Sequence, residues 1–213
     1  MISATILDFG VGNLFSVQKA LEKSGFEKVI IASDESQIKN ADRLILPGVG
    51  AFSNGMKGIH DINCIDPIKD FAKSGKPILG ICLGMQMLGT QSHEFGINNG
   101  LNLIPGQIIK IPSEDSDGIK RRVPFVGWTE LKINESYGGN TSILDKSTPN
   151  SSVYLVHSYQ FVTEEEKDAL AFYEYNGINI TAAIQHENII GLQFHPEKSS
   201  EVGLKILNHF SNL

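Results

Sequence analysis

Hydrophobic and polar positions in the first part of the chain alternate between two patterns. Short apolar runs of strand length, Ala4 to Leu7, Val29 to Ile31, Arg43 to Leu46 and Ile78 to Ile81, are separated by stretches whose apolar residues recur at helical spacing. Leu14, Val17, Ala20 and Leu21 share one helix face, and Ile65, Ile68 and Phe71 mark a helix that ends near Gly75. Gly25 closes the first helix, and Ser33-Asp34-Glu35 has the composition of a helix start. Four βα steps of this kind predict a parallel sheet covered by helices. The second half reads differently, with Gln107 to Ile111, Val123 to Val126, Thr129 to Ile133, Val153 to Val156, Ala169 to Tyr175 and Ile178 to Ile184 all strand-like. Asn176-Gly177 between the last two is the signature of a tight hairpin. One more strand runs from Ile189 to a turn at His195, followed by a closing helix carrying Val202, Leu204, Ile206, Leu207 and Phe210. The expected fold is α/β, an open, twisted, mostly parallel sheet flanked by helices, with an additional antiparallel β region in the second half.

Composition narrows what such a fold is for. At 213 residues, 41% hydrophobic and 20% charged, the chain matches a single domain, residues 1–213, with a sizeable core and no disorder signature. A net charge of -6, with lysines and arginines that do not gather into a stripe, argues against nucleic acid as a partner. The segment from Met1 to Asp8 has neither a basic region nor a long apolar one, and no apolar run approaches membrane-spanning length, so a cytoplasmic protein with no membrane partner is expected. Cys64 and Cys82 alone make no disulfide framework, and a reducing compartment suits a free thiol. Cys64 reads as structural. The polar runs Ser113 to Gly118 and Thr163 to Asp168 read as solvated loops.

The candidate chemistry gathers at Gly80-Ile81-Cys82-Leu83-Gly84, where an apolar strand stops at a cysteine and an amphipathic stretch begins. Strand, sharp turn and helix in that order make a nucleophile elbow, with glycines where the chain crowds against itself. A helix N-terminus favours the thiolate, and the backbone N–H of Leu83 points at the same space as an oxyanion donor. Taken alone, the pattern also fits a buried cysteine in a glycine-rich turn. Pro47-Gly48-Val49-Gly50, beyond the third strand's carboxyl end, is the candidate for the second half of the oxyanion hole through Gly48 and Val49, the alternative being a plain Pro-Gly turn. A cysteine nucleophile needs a base, and the base a third group to fix its tautomer. His195 and Glu197 fit these roles, because at i and i+2 in extended chain they point to the same side. Gly10-x-Gly12 lacks the third glycine of a dinucleotide fingerprint. Neither a metal nor a cofactor is called for.

Pro47-Gly48-Val49-Gly50-Ala51-Phe52, Gly80 to Gln86 and Phe194-His195-Pro196-Glu197-Lys198 together resemble the three signatures of the class I (triad) glutamine amidotransferases, in the family's order and spanning nearly the whole chain. Gly10 to Leu14, Val123 to Trp128 and Val156 to Tyr159 are similar, within that family, to the glutaminase subunits of imidazole glycerol phosphate synthases. The resemblance implies a flavodoxin-like fold and hydrolysis of L-glutamine through a thioester on Cys82. It also implies that Gly50, Gln86, Glu94, His157, Ser158 and Tyr159 grip the substrate's amino and carboxylate ends. Glu94 as a surface carboxylate and His157 as a satisfied structural histidine are the alternatives. The implied partner is a (β/α)₈ cyclase joined as a heterodimer and fed with ammonia for histidine biosynthesis, with Asn13, Trp128 and Lys198 at interface positions; ordinary core is the other reading of Trp128. This chain departs from the family at Phe125, where histidine is usual, at Thr129, where asparagine is usual, and at Gln160, where a second tyrosine is common. The first two fall in the segment expected to face the partner, so a second partner stays open, a synthetase that amidates sugars for surface polysaccharide.

Overall fold

Strands and helices alternate as the apolar runs predict. A computed structural model describes residues 2–114, 118, 120–137, 143–144 and 152–213. Its first elements are β1 (Ser3–Leu7), α1 (Leu14–Lys23), β2 (Lys28–Ala32), α2 (Glu35–Lys39), β3 (Leu44–Gly48), α3 (Phe52–Asp61), α4 (Ile65–Lys73), β4 (Ile78–Cys82) and α5 (Leu83–Met87). Then come β5 (Gln91–Ser92), β6 (Asn98–Asn99), β7 (Gly106–Lys110), β8 (Phe125–Glu130), β9 (Lys132–Ile133), β10 (Ser152–His157), β11 (Tyr159–Thr163), β12 (Ala169–Tyr175), β13 (Ile178–His186), β14 (Ile189–Leu192) and α6 (Ser200–Ser211). An eight-stranded sheet runs β2-β1-β3-β4-β14-β13-β12-β9. Its first five strands are parallel and its last three antiparallel, as the change of pattern along the chain implies. Every residue of β3 and β4 is buried, because helices cover both faces of the sheet. Full burial of leucines such as Leu44 and Leu46 stabilises the fold by about 1.5–3 kcal/mol each.

Register matters more to the site than layers do. β14 comes from near the end of the chain yet pairs with β4, Leu192 opposite Ile81, while β3 pairs on the other side with Gly48 opposite Cys82. The carboxyl ends of three strands remote in sequence therefore meet at one edge. Beside it lie the ribbon of β8 and β10 and the four-stranded sheet β11-β7-β5-β6.

The structure departs from the sequence expectations in several places. Helix α3 was not anticipated, because Gly55 and Gly58 weaken its helical signal by about 1 kcal/mol each. Gly58 is needed all the same, since a Cβ there would collide with the Phe9 carbonyl oxygen where the helix packs on backbone. β8 runs unbroken through Gly127 and Trp128, held by pairing with β10 along its whole length, and β11 was not foreseen. Asp168 closes the run expected to be solvated, yet it is buried and accepts a hydrogen bond from His186 Nδ1 at 3.0 Å. Asp115, Ser116 and Asp117 of the other polar run lie outside the described residues. Among the described residues no helix is long and apolar enough to cross a membrane.

Candidate active site

β4 ends on Cys82 at φ +55° and ψ −109°, a conformation that costs a residue with a Cβ on the order of 1–3 kcal/mol. Close packing holds it there. A Cβ on Gly80 would come within 2.6 Å of the Gly84 carbonyl oxygen, and one on Gly84 would run into the Leu46 carbonyl oxygen, so only glycine fits at either flank. α5 starts at the next residue, and Cys82 faces a cavity of about 350 Å³. Val49, Gly50, Leu83, Gln86, Glu94, His157, Ser158, Tyr159 and His195 line it. Gly48 stands beside Cys82 through the β3–β4 register.

His195 and Glu197 come together by a route different from the expected one. Pro196, favoured in the first turn of a helix, opens a 3₁₀ turn from Pro196 to Lys198, so the two side chains meet across a turn and not along an extended strand. His195 Nδ1 donates to Glu197 Oε1 at 2.8 Å, and both side chains are only 3% exposed. The turn is stitched to β10: His195 N–H donates to the Tyr154 carbonyl at 3.0 Å, Ser199 Oγ donates to the His195 carbonyl at 2.7 Å, and Tyr154 N–H donates to Ser199 Oγ at 3.0 Å. Burial pulls the His195 pKa down, but Cys82 and Glu197 outweigh it and raise it to about 9. The ring's outer nitrogen, Nε2, makes no hydrogen bond within normal limits, although Cys82 lies near enough to raise the ring's pKa. Glu197 Oε2 is likewise buried without a partner.

Other polar side chains of the lining are already satisfied internally. His157 Nδ1 donates to the Tyr159 carbonyl at 2.8 Å, which leaves Nε2 to accept from the Tyr173 hydroxyl at 2.8 Å. Burial drives its pKa down to about 4. Its ring has no polar atom left for a substrate, so the structural alternative describes this side chain. Gln86 spends both amide hydrogens, one on the Tyr159 carbonyl at 3.1 Å and one on Gln193 Oε1 at 3.0 Å. Glu94 is no free surface carboxylate: its Oε2 accepts from Phe52 N–H at 2.6 Å and caps α3, whose Ala51 N-cap offers no side-chain acceptor. Ser158 carbonyl accepts from Ile111 N–H, and Gly50 sits at φ +99°.

With this arrangement in view, the sequence pattern of the family "Glutamine amidotransferase class-I" matches residues 5–212. The chain belongs to that family. Imidazole glycerol phosphate synthase subunit HisH 1 of Legionella pneumophila (strain Lens) is 49% identical over 212 residues, 99% of each chain, and the subunit HisH of Geobacter sulfurreducens is 41% identical over the whole of both chains. Among solved structures, one titled as a glutamine amidotransferase superposes with a TM-score of 0.72 at 14% identity over the whole of both chains. PurLQS of Thermotoga maritima superposes with a TM-score of 0.67 at 22% identity over 99% of this chain and 97% of that one. At these identities the structures show a shared fold.

Three residues that sequence reasoning missed shape this amidotransferase site: Gln193 beneath the sulfur, Tyr173 behind His157, and Tyr154 beside His195. Each works through a contact between different elements of the fold, which no local pattern announces. The outer face of the β8–β10 ribbon carries Val126, Trp128 and Val156 toward solvent, Trp128 being 51% exposed and thus not core. Lys198 Nζ stands 6.0 Å from the centre of the Tyr154 ring, whose edge meets Trp128. Asn13 caps α1 by accepting from Ser16 N–H at 3.2 Å. Phe125 and Thr129 alternate to the inner side of β8, where Phe125 packs 4.9 Å from both Tyr173 and Tyr175. Within that segment the strand's own period puts these two departures on the face opposite Val126 and Trp128.

Proposed function

We propose that this chain is the glutaminase subunit of an imidazole glycerol phosphate synthase, a single cytoplasmic domain that hydrolyses L-glutamine and passes ammonia to a (β/α)₈ cyclase. The observation that carries the reading is the register of β3, β4 and β14, which gathers Gly48, Cys82 and His195 at one edge. Full-length similarity to subunits named for that synthase supports the choice of pathway.

The chemistry follows from the geometry. His195 takes the thiol proton of Cys82 as the sulfur attacks, and a ring pKa near 9 lets it hold that proton until it is transferred. The sulfur attacks the side-chain amide carbon of glutamine, and the new oxyanion is held by Leu83 N–H and the Gly48–Val49 peptide. His195 gives its proton to the nitrogen, the C–N bond breaks, and ammonia leaves a glutamyl thioester. His195 then takes a proton from water, which attacks the same carbon; the C–S bond breaks and glutamate departs. Glu197 holds Nδ1–H throughout and stabilises each imidazolium. In place of ring donors from His157, the substrate's charged ends meet Gln86, Glu94, Gly50 and the Ser158–Tyr159 backbone.

Ammonia released into neutral water is mostly ammonium, which has no lone pair, so the product has to leave along a channel sealed by the partner. The apolar strip of Val126, Trp128 and Val156 beside the cavity, with Lys198 at its edge, suits a heterodimer contact. Because Phe125 and Thr129 turn inward, the departures from the family give no support to a sugar-amidating partner. Replacing Cys82 by alanine in the reconstituted complex is expected to abolish glutamine-dependent synthesis and leave ammonium-dependent synthesis intact; loss of both would overturn the division of labour.

A further inference from the structure

Gln193 is completely buried, two residues before His195, and a buried amide in a core needs its hydrogen-bonding groups met. Its Oε1 accepts from Gln86 Nε2 at 3.0 Å, and its Nε2 lies 3.9 Å from Cys82 Sγ, within reach of an amide–sulfur hydrogen bond. The amide has no freedom to flip. Gln86 Nε2 also donates to the main-chain carbonyl of Tyr159, a group that only accepts, so Gln86 presents its NH₂ there and to Gln193. The Gln193 atom that meets this NH₂ must be its carbonyl oxygen, and its own NH₂ is thereby turned to the sulfur. A donor fixed on sulfur by a completely buried side chain favours the thiolate over the thiol.

We propose that Gln193 is a positioning residue for the nucleophile: its amide, locked in orientation by Gln86, holds the Cys82 sulfur and supports its charged form. This rests on Cys82 being the nucleophile. It also gives Gln86 a task that its two committed amide hydrogens fit, orienting a neighbour as well as lining the cavity.

The test is site-resolved alkylation of the complete chain by iodoacetamide across a pH series, read by mass spectrometry at Cys82 and at Cys64, whose thiol burial pushes up. Gln193→Met keeps the volume and removes the donor; it is expected to slow Cys82 labelling at pH 7 roughly tenfold and to move the half-maximal pH upward, as loss of a hydrogen bond to a charged group should. Gln193→Glu, which turns a negative charge on the sulfur, is expected to move it further. Where either variant does not fold, Gln86→Met, which frees the Gln193 amide to turn, is expected to shift the midpoint the same way. A midpoint equal to wild type in the folded variants, even with a uniform loss of rate, marks Gln193 as packing and overturns the proposal. If wild-type Cys82 labels no faster than Cys64, the nucleophile assignment fails instead.

Discussion

Two buried histidines line the cavity, and their rings are driven in opposite directions. His157 and His195 each donate Nδ1–H to an oxygen at 2.8 Å, and burial lowers the pKa of both. What differs is the charge of the partner. His157 meets a neutral carbonyl and a phenol and falls to about 4; His195 meets a carboxylate and a sulfur and rises to about 9. A proton on His195 further discourages one on His157. The Nδ1 bonds are equal in length, and His157, the more deeply desolvated ring, has no charged partner to offset its burial as Glu197 does for His195, so partner charge and burial together decide which ring carries a proton and which stays neutral.

The strongest way to break this contrast is to make His195 resemble His157. Glu197→Gln keeps an acceptor at Nδ1 but removes the charge, and the ring pKa should fall from about 9 toward or below its ordinary value. Glutamine-dependent turnover should drop on the order of a hundredfold or more, within the range of lost general acid–base support. A pH–rate profile of the complex and histidine resonances of the isolated chain measure both, and a ring that still titrates near 9 would assign its elevation to Cys82 alone. The sign for stability follows. With the folded pKa raised, the His195 contribution is complete below about pH 6.5 and lost as pH climbs toward 9, so the gap in stability between wild type and Glu197→Gln should narrow over that window.

His157 should behave in the mirror sense. Its folded pKa is depressed, so its contribution is complete above about pH 6.5 and lost as pH falls to about 4, where the unfolded ring binds a proton that the buried one refuses. About two and a half pH units of difference correspond to roughly 3 kcal/mol. In urea unfolding, the advantage of wild type over His157→Gln is expected to shrink by about that amount between those pH values; a constant gap would mean that the ring is not held neutral by its surroundings.

Much of this contrast was legible in the chain, though not its cause. Cys82 with its two glycines is a contiguous pattern, and the apolar runs of β3, β4 and β14 are buried on both faces, so their class and the edge they share follow from sequence. His195 and Glu197 were readable as a pair, but the 3₁₀ turn that joins them was not, because Pro196 suits a helix start as well as an extended chain. The histidine that stays neutral was legible only as one of two alternatives. Its decisive partner, Tyr173, lies on β12 and meets it through the packing of separate sheets, and Gln193 reaches Gln86 across 107 positions. α3 was hidden by glycines that its close packing demands. The inward turn of Phe125 depends on the phase of β8 against β10, which no local rule fixes.

Tyr173 gives the finest test of why His157 stays neutral. It is fully buried, and burial together with nearby Tyr175 pushes its hydroxyl well above the ordinary phenol range, so it remains a donor at any working pH. Because Nδ1 is committed to the Tyr159 carbonyl, this hydroxyl is the group that meets the Nε2 lone pair, and that lone pair exists only while the ring is neutral. Tyr173→Phe removes the donor while keeping the ring that packs 4.9 Å from Phe125. The buried acceptor left behind should cost about 1–3 kcal/mol of stability, with less than a tenfold effect on glutamine turnover. The His157 pKa should also rise from about 4, since the neutral form alone loses a bond. A pKa that does not move, followed through the ring resonances, would leave burial as the whole reason for neutrality and confine the role of partner charge to His195.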